Sequence, residues 1–247
     1  MLRSAKELTG YTLAALDDDI GKVEDLLFDD SKWTLRYLIA NPGGRMSGRR
    51  VLISPIALGP AYESERKIQV DLTKDRIRNS PDIDLAQPVS EQQEMEIHSY
   101  YGWPYYGWGT GLWGLTPHPS AEPVEPRLSA DSEQVSLEHN LRSVDEVTGY
   151  GIRTTDGALG HVEDFVIDDS DWQIRYMVVD TKPLWLGKDI LVPPHMIESV
   201  DWDDRSVSVT LTESQIENAP EWDGKFPIDP MYDAKLEDHY RALSYVT

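Results

Sequence analysis

The chain contains no cysteine, and this absence excludes several kinds of chemistry. Disulfide bonds, thiolate nucleophiles and cysteine-ligated zinc sites all need residues that the sequence does not have. The six histidines show no close spacing with glutamate of the kind that marks a metal site along a chain. We therefore predict no cofactor and no bound metal. A reducing compartment is compatible with this composition.

Long apolar runs are also lacking. No uncharged apolar stretch reaches the roughly 18 residues that a membrane-spanning helix needs. Residues 1–10 contain no apolar run that could act as a signal peptide. We expect a cytoplasmic protein without a transmembrane segment, and peripheral association with a membrane stays open as an alternative.

Basic residues are scarce, with 23 Lys and Arg against 44 Asp and Glu, for a formal net charge of −21. A charge of this size repels nucleic-acid phosphates and anionic membrane surfaces, and it favours a basic protein partner. The 40% hydrophobic content is ordinary for a folded protein. We therefore predict folded units that bind a protein and not nucleic acid directly.

A stretch of 20 residues occurs twice, at Gly21–Ala40 and, 139 positions later, at Gly160–Val179. Both copies read Gly-x-Val-x-Asp, then Asp-Asp-Ser, then Arg-Tyr. Two apolar runs around a polar turn predict a β-hairpin. The equivalence continues at the same separation, so that residues 8–108 correspond to residues 147–247. The chain is a duplication.

Each copy predicts about five short strands separated by turn residues, a pattern typical of a small barrel or sandwich. A helix follows in each copy, over Ser90–Tyr100 and Asp229–Leu243, with Ser90 and Asp229 as N-caps. The predicted fold class is mainly β, with two small barrels in tandem, each followed by a short helix. The predicted domains are residues 1–108 and 147–247, joined by a linker over residues 109–146.

Charged side chains recur in both hairpins. Leu35, Tyr37 and Ile39 share the face that we predict as core, and Arg36 lies on the opposite face by period-2 alternation. We expect a cross-strand ion pair in each copy, worth roughly 0.2–1 kcal/mol and serving mainly to set the register. A catalytic or anion-binding arginine is the alternative. The pairs join Arg36 to Glu24 or Asp25, and Arg175 to Glu163 or Asp164.

Acidic turns and an aromatic segment leave further alternatives. Asp17–Asp19, or Asp168, Asp169 and Asp171, could hold a hard cation through oxygen ligands, but the glycine and distal glutamate of a calcium loop are missing. We read them as turn residues. The segment Tyr100–Leu115 is rich in tryptophan, tyrosine and glycine. It could pack on the barrels, bind a protein partner, or anchor the chain at a membrane interface.

With these motifs in place, each copy resembles a PRC-barrel domain, the small β-barrel named for the photosynthetic reaction centre. Residues Val89–Trp103 are similar to the stretch that follows this barrel in the reaction-centre H subunit. The resemblance extends to the carboxyl-terminal barrel of the ribosome maturation factor RimM. In the H subunit, an acidic residue two places before the hairpin glycine helps to carry protons, and the resemblance places that role on Asp19.

The resemblance implies a non-enzymatic barrel that docks on partner proteins. No nucleophile, base and orienting group can be assembled from the motifs, so we predict no catalytic residues. We predict a protein-interaction or assembly adaptor whose partner is a protein, a membrane-associated complex or a second copy of the chain. The alternatives are a ribosome-maturation or RNA-processing adaptor and a cation-binding stress protein. The residues predicted for interaction or proton relay are Asp19, Glu24, Asp25, Arg36, Glu163, Asp164 and Arg175.

Overall fold

A computed structural model of the chain describes residues 1–42, 49–83, 89–107, 111–122, 141–181 and 187–244. Strands dominate these ranges, so the mainly β prediction is confirmed. The strands are β1 (Leu2–Ser4), β2 (Thr12–Ala14), β3 (Asp19–Asp29), β4 (Thr34–Ala40), β5 (Val51–Ile53), β6 (Leu58–Tyr62), β7 (Lys67–Val70), β8 (Leu141–Ser143), β9 (Gly151–Arg153), β10 (Ala158–Asp168), β11 (Gln173–Asp180), β12 (Asp189–Val192), β13 (Ile197–Asp201), β14 (Ser206–Val209) and β15 (Glu221–Trp222).

The helices are short, apart from one at the end of each copy. They are α1 (Ala5–Leu8), α2 (Lys74–Arg78), α3 (Glu91–Tyr101), α4 (Val144–Val147), α5 (Glu213–Glu217) and α6 (Pro230–Ser244). Ser90 caps α3 through a capping box with Gln93, and Asp229 accepts a hydrogen bond from the Met231 amide at 2.7 Å. Both predicted N-caps are therefore in place, because their side chains satisfy first-turn amides.

The chain divides into two compact units. One consists of Glu7–Ser143 with Ser170–Gln173, and we call it the first-copy unit. The other consists of Met1–Lys6, Val144–Asp169 and Ile174–Thr247, and we call it the second-copy unit. The division at residues 108 and 146 describes the duplication in the sequence and stays a prediction.

In the first-copy unit, the long strand β3 organises the sheet. Strand β4 pairs along one edge of β3, while β2 pairs with the start and β8 with the end of its other edge. The order is β6-β7-β2-β3-β4-β5. Leu35 and Tyr37 are fully buried and Ile39 is nearly so, as predicted, but Arg36, Leu38 and Ala40 on the opposite face are fully buried as well.

The second-copy unit repeats this arrangement with β10 as its long strand. The order is β13-β14-β9-β10-β11-β12-β15, and β1 pairs with the end of β10. Ile174 and Val178 are buried, as are Leu35 and Ile39 at the equivalent positions of copy one, whereas Tyr176 is only partly buried and its hydroxyl donates to Asp233 of α6 at 2.8 Å. Within the described ranges, the strands of each unit pair as an open sheet. Its edge strands are β6 and β5 in the first-copy unit, and β13 and β15 in the second-copy unit.

Each unit takes one strand from the segment that precedes the other copy. Strand β1, which precedes copy one, lies antiparallel to β10 with Leu2 opposite Asp168. Strand β8, which precedes copy two, lies antiparallel to β3 with Leu141 opposite Asp29. Strand β8 also falls inside the segment predicted as a linker. Each long strand is therefore paired at its end with a segment that is distant from it in the sequence.

Candidate functional site

A serine–aspartate hydrogen bond holds each of these preceding strands. In the first-copy unit, Ser143 Oγ donates to Asp25 Oδ2 at 2.5 Å. In the second-copy unit, Ser4 Oγ donates to Asp164, whose other oxygen accepts from the Lys6 amide at 3.0 Å. Burial raises the pKa of Asp164, and these hydrogen bonds act in the opposite direction. Asp25 and Asp164 therefore each accept a hydrogen bond from the serine of the strand that pairs with the end of their own long strand.

An arginine adds a second contact to each strand. Arg3 Nε lies 2.6 Å from Asp169 Oδ2, and Arg142 Nε lies 2.6 Å from Asp30 Oδ2. The contacts correspond because Leu2–Ser4 and Leu141–Ser143 both read Leu-Arg-Ser at the separation of 139. This repeat is the sequence signal for both contacts, and it extends the duplication upstream of residue 8.

Arg36 is completely buried, and its partner is Asp29. Its Nη2 lies 2.8 Å from Asp29 Oδ2, and its Nη1 donates to the Leu112 carbonyl at 2.8 Å. The predicted pairing of Arg36 with Glu24 or Asp25 is wrong. Asp25 lies opposite Ile39, three residues along the strand, and the register shifts between Leu27 and Phe28. Three residues of strand span about 10 Å, which places Asp25 out of reach.

The aromatic segment covers the Arg36 guanidinium. The Tyr106 and Trp113 rings lie 4.0 Å and 4.9 Å from its central carbon, a cation–π arrangement. Trp113 Nε1 also donates to the Asp171 carbonyl at 2.7 Å. Five described aromatic residues of this segment are buried, which favours internal packing among the three alternatives. They are Tyr101, Trp103, Tyr105, Tyr106 and Trp113.

A group of hydrogen-bonded side chains lies beneath the same cover. The Tyr37 hydroxyl is 3.1 Å from Glu94 Oε2 and 2.9 Å from His98 Nε2. His98 Nδ1 donates to the Pro104 carbonyl at 2.8 Å, and Tyr106 donates to Glu94. Burial lowers the pKa of His98 to about 4, so its imidazole is neutral at pH 7. Burial likewise raises the pKa of Tyr37.

The equivalent arginine of copy two is more exposed. Arg175 Nη2 lies 3.2 Å from Asp168 Oδ2, so the predicted pairing with Glu163 or Asp164 is wrong; Glu163 contacts Lys6, and Asp164 accepts from Ser4 and the Lys6 amide. Asp168 corresponds to Asp29 at the separation of 139. Both arginines therefore pair with the first acid of the turn and hold it against the strand.

The remaining predicted residues lie near the surface. Asp19 Oδ2 is 3.2 Å from Lys67 Nζ, Glu24 Oε2 is 2.8 Å from Arg50 Nε, and Glu163 Oε1 is 2.5 Å from Lys6 Nζ. The seven predicted residues thus divide among strand docking, turn pairing and surface ion pairs. They do not form a single centre.

The hairpin of copy two, with its glycine, turn acids and Arg-Tyr pair, lies within the part of the chain that a known family describes. A family model for the PRC-barrel domain matches residues 139–216. The PRC-barrel domain covers about a third of the chain, from β8 to α5. No curated protein matches the chain. Among the described helices, none has the length and apolarity needed to cross a bilayer.

Proposed function

We propose that the chain is a non-enzymatic adaptor that binds or assembles other proteins through two PRC-barrel domains. The observation that carries this proposal is the PRC-barrel match over residues 139–216. The strand order of the first-copy unit supports a second domain of the same kind, and closure of each into a barrel belongs to the proposal. The charged residues with the strongest claim to chemistry support it too, because Arg36, Asp25 and Asp164 all make structural contacts.

The acidic surface indicates the chemistry of the partner. A chain with a net charge of −21 attracts a basic protein surface and repels phosphate backbones. Attraction between exposed charges is screened at high ionic strength, so the association should weaken as salt rises. We propose a basic protein partner in the cytoplasm, with no direct contact to nucleic acid.

A finer proposal follows from the resemblance to the reaction-centre H subunit. Its partner would be a membrane-associated complex, and the chain would lie at the membrane periphery. Asp19 is exposed to solvent, which a residue at the entry of a proton path requires, and its Oδ2 lies 3.2 Å from Lys67 Nζ. This finer proposal rests on the resemblance alone and needs its own test.

The test is capture of partners after cross-linking in cells, followed by reconstitution with each purified partner. Two matched charge reversals sharpen it. Glu198→Lys with Asp201→Lys changes exposed acids within the PRC-barrel match, and Glu237→Lys with Asp238→Lys changes exposed acids on α6, outside it. We expect the first pair to weaken a reconstituted complex and the second pair to leave it unchanged.

The captured proteins decide between the alternatives. Proteins of a membrane complex support the H-subunit resemblance, and ribosomal proteins would favour the ribosome-maturation alternative. Equal binding by both charge-reversed variants would contradict a role for the PRC-barrel surface. A substrate turned over by the purified chain would overturn the non-enzymatic proposal.

A further inference from the structure

Four side chains with metal-binding chemistry come together on three neighbouring strands of the second-copy unit. His161 and Glu163 lie two residues apart on β10 and share a face of the sheet. Asp180 ends β11, and Asp189 begins β12 directly opposite it. Ligand atoms of His161, Glu163 and Asp180 lie within 4.8 Å of one another.

The geometry leaves these groups able to reach one ion. His161 Nε2 is 3.6 Å from Glu163 Oε2, and Asp180 is almost buried beside them. Bonds of about 2.0–2.2 Å from each ligand atom to a metal require only small side-chain rotations. The other carboxylate oxygen of Glu163 contacts Lys6 Nζ.

The first copy supplies a comparison from the same fold. At the separation of 139, the positions of His161, Glu163, Asp180 and Asp189 are occupied by Lys22, Glu24, Asn41 and Arg50. Arg50 Nε lies 2.8 Å from Glu24 Oε2, so in copy one the fourth position itself pairs with the glutamate, whereas in copy two that position is Asp189 and the glutamate contacts Lys6. The formal charge of the four positions is +1 in copy one (two cations, one acid) and −3 in copy two (three acids, neutral histidine).

Copy two therefore has an imidazole and a carboxylate where copy one has two cationic side chains, an aspartate in place of Asn41, and the same glutamate. Directly opposed like charges such as Asp180 and Asp189 destabilise a strand pair, and a bound cation offsets that repulsion.

We propose that His161, Glu163 and Asp180 bind one divalent first-row transition-metal ion in the second-copy unit, with Asp189 adding negative charge beside it. An imidazole nitrogen selects zinc, nickel or iron over calcium and magnesium, which prefer oxygen ligands. Three protein ligands leave at least one coordination position for water. Lys6 competes for Glu163, and its side chain is 57% exposed, so it can move aside when the ion binds.

Zinc titration of the untagged full chain, followed by isothermal calorimetry near physiological salt, tests this site. We expect one zinc ion per chain in addition to any weak surface binding. His161→Ala should lower the affinity at least about tenfold, since even outer-shell changes cost that much. The matched control, His195→Ala, removes an exposed histidine elsewhere in the same unit and should leave the affinity unchanged.

Two further variants give independent evidence. Replacing His161, Asp180 and Asp189 by the first-copy residues, as His161→Lys, Asp180→Asn and Asp189→Arg, should abolish binding while the fold, followed by circular dichroism, is kept. Lys6→Ala removes the competing ammonium group and should tighten zinc binding.

Absorption spectra of the cobalt-loaded chain add a structural measurement. We expect d–d bands of a four- or five-coordinate ion that are lost in His161→Ala. Equal zinc affinity for His161→Ala and His195→Ala would overturn the proposal. Tighter binding of calcium than of zinc would also overturn it. So would zinc binding that is unchanged when His161, Asp180 and Asp189 are replaced by the first-copy residues.

Discussion

Arg36 and Asp29 form an ion pair across one hairpin, with 2.8 Å between Nη2 and Oδ2 and side-chain exposures of 0% and 2%. Arg175 and Asp168 form the equivalent pair at 3.2 Å, with exposures of 34% and 22%. The same two residue types at the same positions of the repeat therefore form a buried ion pair in copy one and a partly solvent-exposed ion pair in copy two.

This difference predicts unequal effects of removing the arginine. Arg36→Ala leaves the buried Asp29 carboxylate without its guanidinium partner, which should lower the free energy of unfolding by about 3–5 kcal/mol. Arg175→Ala should cost less than about 1 kcal/mol, because water solvates Asp168 in place of the arginine. Denaturant unfolding of both variants measures the two losses. Equal losses would show that burial does not distinguish the pairs.

The low pKa of His98 predicts a dependence of stability on pH. Burial holds this pKa near 4 in the folded state, against 6.5 for the model compound. The unfolded chain therefore binds more protons between these values, so stability is lost as the pH falls from about 6.5 to about 4. The difference between the folded and unfolded pKa values of His98 corresponds to a loss of about 3 kcal/mol in the free energy of unfolding. We expect the first-copy unit to unfold first on acidification, as shown by near-ultraviolet circular dichroism.

His98→Gln is the control for this prediction, because glutamine keeps polar atoms but does not titrate in this range. The variant should have lower stability at pH 7 and a flatter stability profile between about pH 6.5 and pH 4. An unchanged slope in the variant would assign the acid sensitivity to other groups.

The serine–aspartate contacts predict that both preceding strands stabilise their units. Ser4→Ala and Ser143→Ala each remove a donor to a carboxylate, at a cost of about 1–3 kcal/mol. Hydrogen exchange should rise locally, over Val166–Asp168 in the first variant and Leu27–Asp29 in the second, where the paired strand is released. Faster exchange spread evenly over the chain would argue against local strand release.

The hairpin glycines are predicted to be sensitive to substitution. Gly21 and Gly160 have φ angles of 131° and 67°, and an added Cβ would overlap the carbonyl oxygen of Asn41 or Asp180. Gly21→Ala and Gly160→Ala should each lower stability by at least about 1–3 kcal/mol. Gly151→Ala is the control, since nothing lies within 4 Å of a Cβ at that position. Thermal melts compare the three, and a comparable loss in the control would contradict the argument.

Local features of the fold could be predicted from the sequence. These features depend on residues close together in the chain. They are the hairpins, the N-caps at Ser90 and Asp229, and the burial of Leu35 and Tyr37. The partner of Arg36 could not be predicted in this way. Alternation assumes a regular ladder, and the shift between Leu27 and Phe28 changes which acid the arginine meets.

Features that depend on distant segments were missed for a different reason. His161 and Glu163 are two residues apart in the sequence, but Asp180, whose carboxylate lies within 4.8 Å of their ligand atoms, comes from the next strand. The docking of β1 and β8 likewise joins residues more than 100 positions apart. Its one sequence signal was the repeated Leu-Arg-Ser, which is too short to be distinctive alone.

The placement of β1 and β8 means that neither copy is self-sufficient as a continuous piece of the sequence. A fragment that holds one copy and its own preceding strand lacks the strand that pairs with the end of its long strand in this fold. Two such fragments would restore both pairings only by exchanging strands, as in a domain-swapped dimer. The single chain supplies both strands at once, so these pairings do not depend on protein concentration.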